Sequence, residues 1–524
     1  MAKLIVIEGG ATPPPKRKEQ NGKRERDPAE FLKNQHKRML REMNRDHALV
    51  VAQDRVEILH VLRDDTGGVA HLSFRSEAEC DLIHRARPYF KYTSSEKSGP
   101  KWSRDSRTKA WLSDPKRRMV RSVVNAPQPW GADPLPLDTL NLWLGYGTAP
   151  APMGCARVGG TGYQADWPQE CSLILEHVLD IWCDRNMNLF RWTMAWLAQM
   201  VQVPDVLPGT MLVIQGGQGA GKGIIVQALA RILGNGFLTI NSKRYLVGNF
   251  NGILQGRLLV FADELFVKDP EAKNALKNKV SEPFITVELK GKEPFSIANT
   301  ARVLMATNES HAIDAEADDR RACVLRASSR RRVPREASPD HEGRPYFNAL
   351  AREVLGTGPA HLFRYLLEVD WRSVDLRTPP TTKALVDQKI ASLLPLQRWW
   401  FERLTAGTIV SALDGHEPGW SYSTTRMQLA ASFDRHADRL KLSEHKKPGH
   451  ADVWRFCFDK EGSCQFERTG GRDGGGDREY RYSVPSLDDA RQRFAVWLSV
   501  PPELISWGDE EGETNSSPPD EVPF

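Results

Sequence analysis

The spacing of apolar residues changes several times along the chain, and each change marks a different kind of element. Residues 47–62 (HALVVAQDRVEILHVL) and 69–74 (VAHLSF) read as β-rich segments on either side of the turn sequence DDTGG. From Pro168 to Met200 the spacing lengthens to three and four. Leu175, Val178, Leu179 and Trp182 share one helical face, and Phe190, Thr193, Leu197 and Met200 share another. Strand and helix patterns then alternate. TMLVIQ is a short buried strand, GIIVQALARILG a helix stopped by Gly234, FLTI and RLLVFADE strands, PEAKNALKNKV a helix, and FITVELKG, ARVLMATNE and ACVLRA strands again. Residues 346–368 and 381–404 are helical by pattern. Beyond them TTRMQLAASFDRHADRL and SLDDARQRFAVWL read as helices, with VWRFCFD and YRYSVP as the strands of a hairpin joined by the loose GGRDGGGD.

That order predicts an α/β fold, a largely parallel sheet covered on both faces by helices. A chain of 524 residues has room for several units. A basic disordered arm is expected over 1–46, then a small α+β module over 47–162 that ends in a Pro/Gly-rich link. A helical collar over 163–207 leads into the α/β core, 208–335. A helical region over 336–404, a winged-helix module over 405–500 and an acidic disordered tail over 501–524 complete the order.

Composition narrows the class. No uninterrupted apolar run approaches the roughly 20 residues needed to cross a bilayer, and MAKLIVIEGG carries too short an apolar run for a signal peptide. No membrane partner is expected, and the location expected is cytoplasmic. The seven cysteines, Cys80, Cys155, Cys171, Cys183, Cys323, Cys457 and Cys464, include no CxxC pair, which speaks for a reducing compartment and against a zinc ribbon. His436, His445, His450, Cys457 and Cys464 match no ligand spacing, so no metal is expected there. A net charge of +5 is too mild to argue nucleic-acid binding from the total. Its distribution is uneven, with a basic stretch at 12–45 and acids alone in the final residues.

The candidate chemistry begins at QGGQGAGKG, residues 215–223. The backbone N–H groups of Gly216, Gly217, Gln218, Gly219, Ala220 and Gly221, at a helix N-terminus, suit the phosphates of ATP, and Lys222 suits the terminal ones. Gly223 stands where a Ser or Thr hydroxyl would hold Mg2+. LLVFADE ends a buried strand in Asp263, fit to hold Mg2+ through water, and Glu264, fit to polarise an attacking water. Asn308, at the end of a third strand, suits orienting that water. In EADDRRACVL, Arg320 and Arg321 both qualify as a finger toward the phosphates of a neighbouring subunit. FITVELKGKEPFSIANT reads as a hairpin with Lys290 and Lys292 at its tip, two cations for a DNA backbone.

As an ordered set, these motifs resemble the superfamily three helicases of viruses and plasmids, and specifically the helicase domain of phage primase-polymerases. WLSDPKRRMV, LNLWLGY, FRWTMAWLAQMVQVPDVLPGTMLVIQGGQGAGKG and PPTTKAL look like that group too, so the likeness covers roughly 85–405. The resemblance implies an AAA+-type core, magnesium-dependent ATP hydrolysis at the interfaces of a homo-oligomeric, hexameric ring, and 3′ to 5′ movement on single-stranded DNA that unwinds forked DNA. It also implies a phage, prophage or related source and a host cytoplasm. By motif match Lys222 binds phosphates, Asp263 and Glu264 serve metal and water, Asn308 is the sensor, Lys290 or Lys292 is the DNA lysine, and Arg320 or Arg321 is the finger.

Two departures shape the expectation. Gly223 lacks the hydroxyl, though magnesium keeps several waters and one of them can fill the position. No strand-borne set of metal-binding carboxylates precedes the core, so the chain is expected to be the helicase half, with priming either supplied by a separate primase or polymerase or absent. The alternative is a nucleotide-gated DNA-binding scaffold or loader with weak or no hydrolysis. A DNA-packaging motor would bring clustered nuclease carboxylates, and none follows residue 330. The arginine stretch RASSRRRVPRE is expected to be an exposed loop.

Overall fold

The computed structural model describes residues 27–508 apart from 53–54, 66, 96–98, 160–162, 243–251, 265–269, 288–294, 309–320, 335–337, 339–340, 342, 410–418, 444–446 and 470–480. The described chain divides into two compact units. One runs through Pro127 and takes up Gly131–Leu144 again; the other holds Gln128–Trp130 and everything from Gly145 onward.

In the first unit, α1 (Pro28–Asp46) starts with a proline at its first position, and the Asp27 side chain accepts from Ala29 N–H. The second half of the basic arm is therefore helix, not disordered chain. Met39 and Met43, four residues apart, are buried, and the Lys and Arg run forms the solvated remainder of the helix. Next come β1 (His47–Ala52), β2 (Arg55–Arg63), β3 (Val69–Arg75) and α2 (Glu77–His84), the last capped by a reciprocal Ser76–Glu79 box. The hairpin β4 (Tyr89–Ser95) and β5 (Gly99–Asp105), α3 (Arg107–Leu112), β6 (Met119–Val120), β7 (Ser122–Val124) and β8 (Thr139–Asn141) complete the unit. Its main sheet runs β3-β2-β1-β6, antiparallel except for the last pair. Alternation sorts the strand side chains. Ala48, Val50, Leu59 and Val61 join Val120 and Leu140 on one face, while Ile58 joins Met39, Met43, Cys80 and Trp111 on the other.

The second unit opens with α4 (Ser172–His177), continued by a wider turn over Val178–Trp182, and α5 (Met187–Gln202), whose Phe190–Val201 stretch is buried at all but Arg191. There follow β9 (Met211–Gln215), α6 (Lys222–Leu233), β10 (Phe237–Ile240), β11 (Leu259–Asp263), α7 (Pro270–Ser281), β12 (Phe284–Val287), β13 (Phe295–Ala298), β14 (Arg302–Thr307) and β15 (Ala322–Arg326). Five of these form the expected parallel sheet, in the order β10-β11-β14-β9-β15. Every residue of β9 and β14 is buried, as strands covered on both faces must be. The sheet is tied to α5 by Arg302, fully buried, which donates to Gln199 Oε1 at 2.6 Å and to the carbonyls of Val203 at 3.2 Å and Val206 at 2.5 Å. Burial lowers its pKa to about 9.

Helices α8 (Gly343–Leu355), α9 (Gly358–Glu368), α10 (Lys383–Ala391) and α11 (Pro395–Ala406) follow, so each of the two long helical patterns is split, at Gly356 and before Pro395. The chain then forms β16 (Ser423–Thr425), α12 (Arg426–Arg439), α13 (His450–Phe458), β17 (Glu467–Thr469), β18 (Arg481–Ser483) and α14 (Leu487–Trp497), with an antiparallel sheet β16-β18-β17. VWRFCFD is thus helix, and the strand paired with β18 is Glu467–Thr469 instead. Val453 and Cys457, four apart, turn into a core of Trp399, Trp400, Phe433 and Phe494, and the Asp452 carboxylate accepts from Gly449 N–H at the helix start. Among the described residues no helix is long and apolar enough to cross a membrane.

Candidate nucleotide site

The turn from β9 into α6 is built by glycines that tolerate no side chain. Gly219 and Gly221 both have φ of +82°. A Cβ on Gly219 would run into the Val333 carbonyl, and one on Gly221 would lie 2.6 Å from Phe347 and 2.7 Å from His177. Gly223 differs: it lies in the first turn of α6 with nothing within 4 Å of where its Cβ would be.

The sheet order puts β14 between β9 and β11, so the three strands carry their C-terminal residues to one edge. There Lys222 Nζ donates to the carbonyls of Gly216 and Gly217, the latter at 3.1 Å, and to Asn308 Oδ1 at 2.5 Å. Asn308 Nδ2 in turn donates to Glu264 Oε1 at 2.6 Å. Glu264 holds a left-handed backbone with φ of 54°, costly for a residue with a Cβ, and its N–H donates to the Ala306 carbonyl at 2.9 Å. Asp263 precedes it at the end of β11. Burial lowers the pKa of Lys222, against the nearby charges of Asp263 and Glu264. Burial raises the pKa of Asp263, the charge of Glu264 adding to that rise.

Of the other expected residues, Arg321 lies at the opposite end of the same sheet. Its carbonyl accepts from the N–H of Met211, the first residue of β9. Five residues of strand, roughly 16 Å at about 3.3 Å per residue, separate that end from its own glycine loop. β12 and β13 pair antiparallel, with Phe284 opposite Ala298 and Val287 opposite Phe295. Lys290 and Lys292 at the intervening tip, and Arg320, lie outside the described residues.

Several residues at the loop had no motif to announce them. The chain after β15 crosses the loop: Ala327 N–H donates to Gln215 O at 2.7 Å and Val333 N–H to Gly219 O at 3.3 Å. That strap carries Arg332, whose Nε donates to the Gln218 carbonyl at 3.1 Å and whose charge helps to lower the pKa of Lys222. Arg331 stacks 4.4 Å over the Tyr346 ring, and Arg330 pairs with Asp184 at 2.5 Å, so the arginine stretch is pinned even where its side chains are exposed. Beneath the loop, His177 Nε2 lies 3.2 Å from Gly221 O and Nδ1 lies 3.0 Å from Tyr346 Oη. A carbonyl only accepts, so Nε2 carries the proton and Nδ1 accepts from the tyrosine. Burial lowers the His177 pKa to about 4, which keeps the ring in that neutral form at neutral pH.

With this geometry in place, comparison with known proteins gives a consistent direction. Residues 214–321, from β9 to Arg321, match the model of a family of unknown function, DUF5906, a span that contains every candidate residue named from the motifs. A stretch of 149 residues is 26% identical to the DNA primase-polymerase of Nitratiruptor phage NrS-1. The chain is related to a phage replication protein. The matched stretch is 28% of this chain and 20% of the NrS-1 protein. The apo structure of the NrS-1 C-terminal region superposes with a TM-score of 0.55 at 15% identity, covering 86% of this chain and 98% of that one. A second apo form of the NrS-1 region gives 0.53 with the same coverage. The likeness is one of fold.

Proposed function

We propose that this chain is an ATP-hydrolysing DNA helicase of the superfamily three, phage primase-helicase type, with an AAA+-like core that works as a ring, a hexamer by resemblance, on single-stranded and forked DNA. The observation that carries the reading is the chain of contacts from Lys222 through Asn308 to Glu264, at the C-terminal ends of three adjacent parallel strands and beside a glycine loop at a helix N-terminus. The donor set fits magnesium-ATP: loop N–H groups and Lys222 for phosphates, and Asp263 for the ion through water. Bound magnesium would neutralise charge on the β- and γ-phosphates. Lys222, released from its own loop carbonyls, takes the terminal phosphates. Glu264 accepts a hydrogen bond from a water, and Asn308, bonded to that carboxylate, orients it. Arg321, too far from its own loop, serves the site of a neighbouring copy, or Arg320 does. Lys290 and Lys292 meet the DNA backbone, and a separate primase or polymerase supplies synthesis. The order helix, strand, two helices, two strands in α11–β18 supports a winged-helix module at 405–500.

The missing hydroxyl at Gly223 favours one other reading, a nucleotide-gated DNA-binding scaffold with weak or no hydrolysis. Steady-state ATP hydrolysis with magnesium, with and without single-stranded DNA, separates the two. DNA-stimulated turnover that is lost in Glu264→Gln supports the helicase. Binding of ATP and DNA without turnover moves the assignment to the scaffold, and no nucleotide binding by the folded protein sinks both.

A further inference from the structure

The first unit holds a group of side chains that the nucleotide site does not use. His47 opens β1, and Cys80 and His84 lie four residues apart on α2, hence on one face of that helix. All three are buried, and one ligand-capable atom from each lies within 4.8 Å of the other two. Nε2 of His47 faces Nε2 of His84 at 3.3 Å. Around a tetrahedral cation with metal–nitrogen bonds of about 2.0–2.1 Å, the nitrogen–nitrogen edge is about 3.3–3.4 Å. We propose that His47, Cys80 and His84 bind a zinc-class divalent cation that fastens α2 to the start of β1.

The polar chemistry of these rings is otherwise unspent. Only one proton fits between the two facing nitrogens, and Nδ1 of His47, of His84 and of neighbouring His60 is buried with no hydrogen-bond partner. A bound ion accounts for the two facing Nε2 atoms, each of which would then ligate through its lone pair. Packing also holds His47: the His60 ring lies parallel to it at 4.7 Å, and Trp111 meets it edge-on at 6.2 Å. Neutral imidazole is the ligating form, and burial lowers the pKa of His47 to about 3 and of His84 to about 4. Burial also pushes the Cys80 thiol up, and a coordinated cation reverses that by binding the thiolate. One thiolate and two imidazoles suit zinc among the common divalent metals, with water in the fourth position. The cluster beside it, Met39, Met43, Ile58 and Trp111, is small, which is where a metal staple adds most.

The test uses the full chain purified without chelators. Elemental analysis should find about one zinc per chain, reduced tenfold or more in Cys80→Ser and in His84→Gln and unchanged in Cys171→Ser, a buried thiol of the other unit. Cobalt(II) titrated into the chelator-treated, unaltered chain should give intense visible bands with thiolate charge-transfer absorption, a result independent of whether a variant folds. An unaltered chain that takes up neither zinc nor cobalt, or that binds cobalt without the thiolate band, overturns the assignment.

Discussion

Gly223 and Arg332 carry the clearest tests at the scale of single residues. The space beside Gly223 is open, so the absence of a hydroxyl there is not imposed by crowding. Gly223→Ser should fold, gain about 0.5 kcal/mol from better helix propensity, and hydrolyse ATP at least as fast as the unaltered chain. A faster kcat with unchanged KM would mean that the hydroxyl improves the metal's position; a fall in kcat would mean that water already fills the place better. Arg332→Ala removes a cation from the glycine loop, and a charge-assisted contact of about 1.5–3 kcal/mol predicts ATP binding weaker by tenfold or more. Unchanged nucleotide affinity, measured by fluorescence titration, would reduce Arg332 to a strut for the strap. These two residues also mark the limit of what could be read from sequence. Lys222, Asp263, Glu264 and Asn308 were legible because each ends a strand or begins a helix in an order with a chemical meaning. Arg332 and His177 were not, because they reach the loop from over a hundred and from 44 residues away through packing that leaves no local period.

At the scale of elements, the parallel sheet and the helices before it follow from runs of apolar residues with one clear period. Where the pattern was short, it misled. VWRFCFD is apolar at nearly every other position and also at every fourth, and only the tryptophan-rich core that receives Val453 and Cys457 decides for helix. The start of α4 offers a pH test. The Glu353 carboxylate accepts from Ile174 N–H at 2.9 Å and from Leu173 N–H at 3.4 Å, yet burial raises its pKa to about 7. A folded pKa above the ordinary carboxylate value means that this group's contribution is complete below about pH 4.5 and is lost as pH rises through about 7. Between about pH 5 and pH 8 the unaltered chain should lose roughly 1–2 kcal/mol from this source, after a discount for its partial contact with water. Glu353→Gln should flatten that part of the profile; thermal melts across the range that show the same slope in both proteins would contradict it.

For the whole molecule, the likeness to the NrS-1 region extends over 86% of the chain, well beyond the span matched by the family model. Lys290→Ala together with Lys292→Ala should weaken single-stranded DNA binding and lower its salt dependence by about one to two counterions, with basal hydrolysis spared. DNA affinity left unchanged by the two substitutions would remove the hairpin from the DNA path. The position of Arg321 has a further consequence. A residue fixed to the N-terminal edge of β15 stands a full strand's length from its own glycine loop, which lies at the far edge. If it is the finger, dilution alone should switch the protein off: turnover per chain would fall with concentration before nucleotide affinity does, and Arg321→Ala chains added in excess would poison their unaltered neighbours.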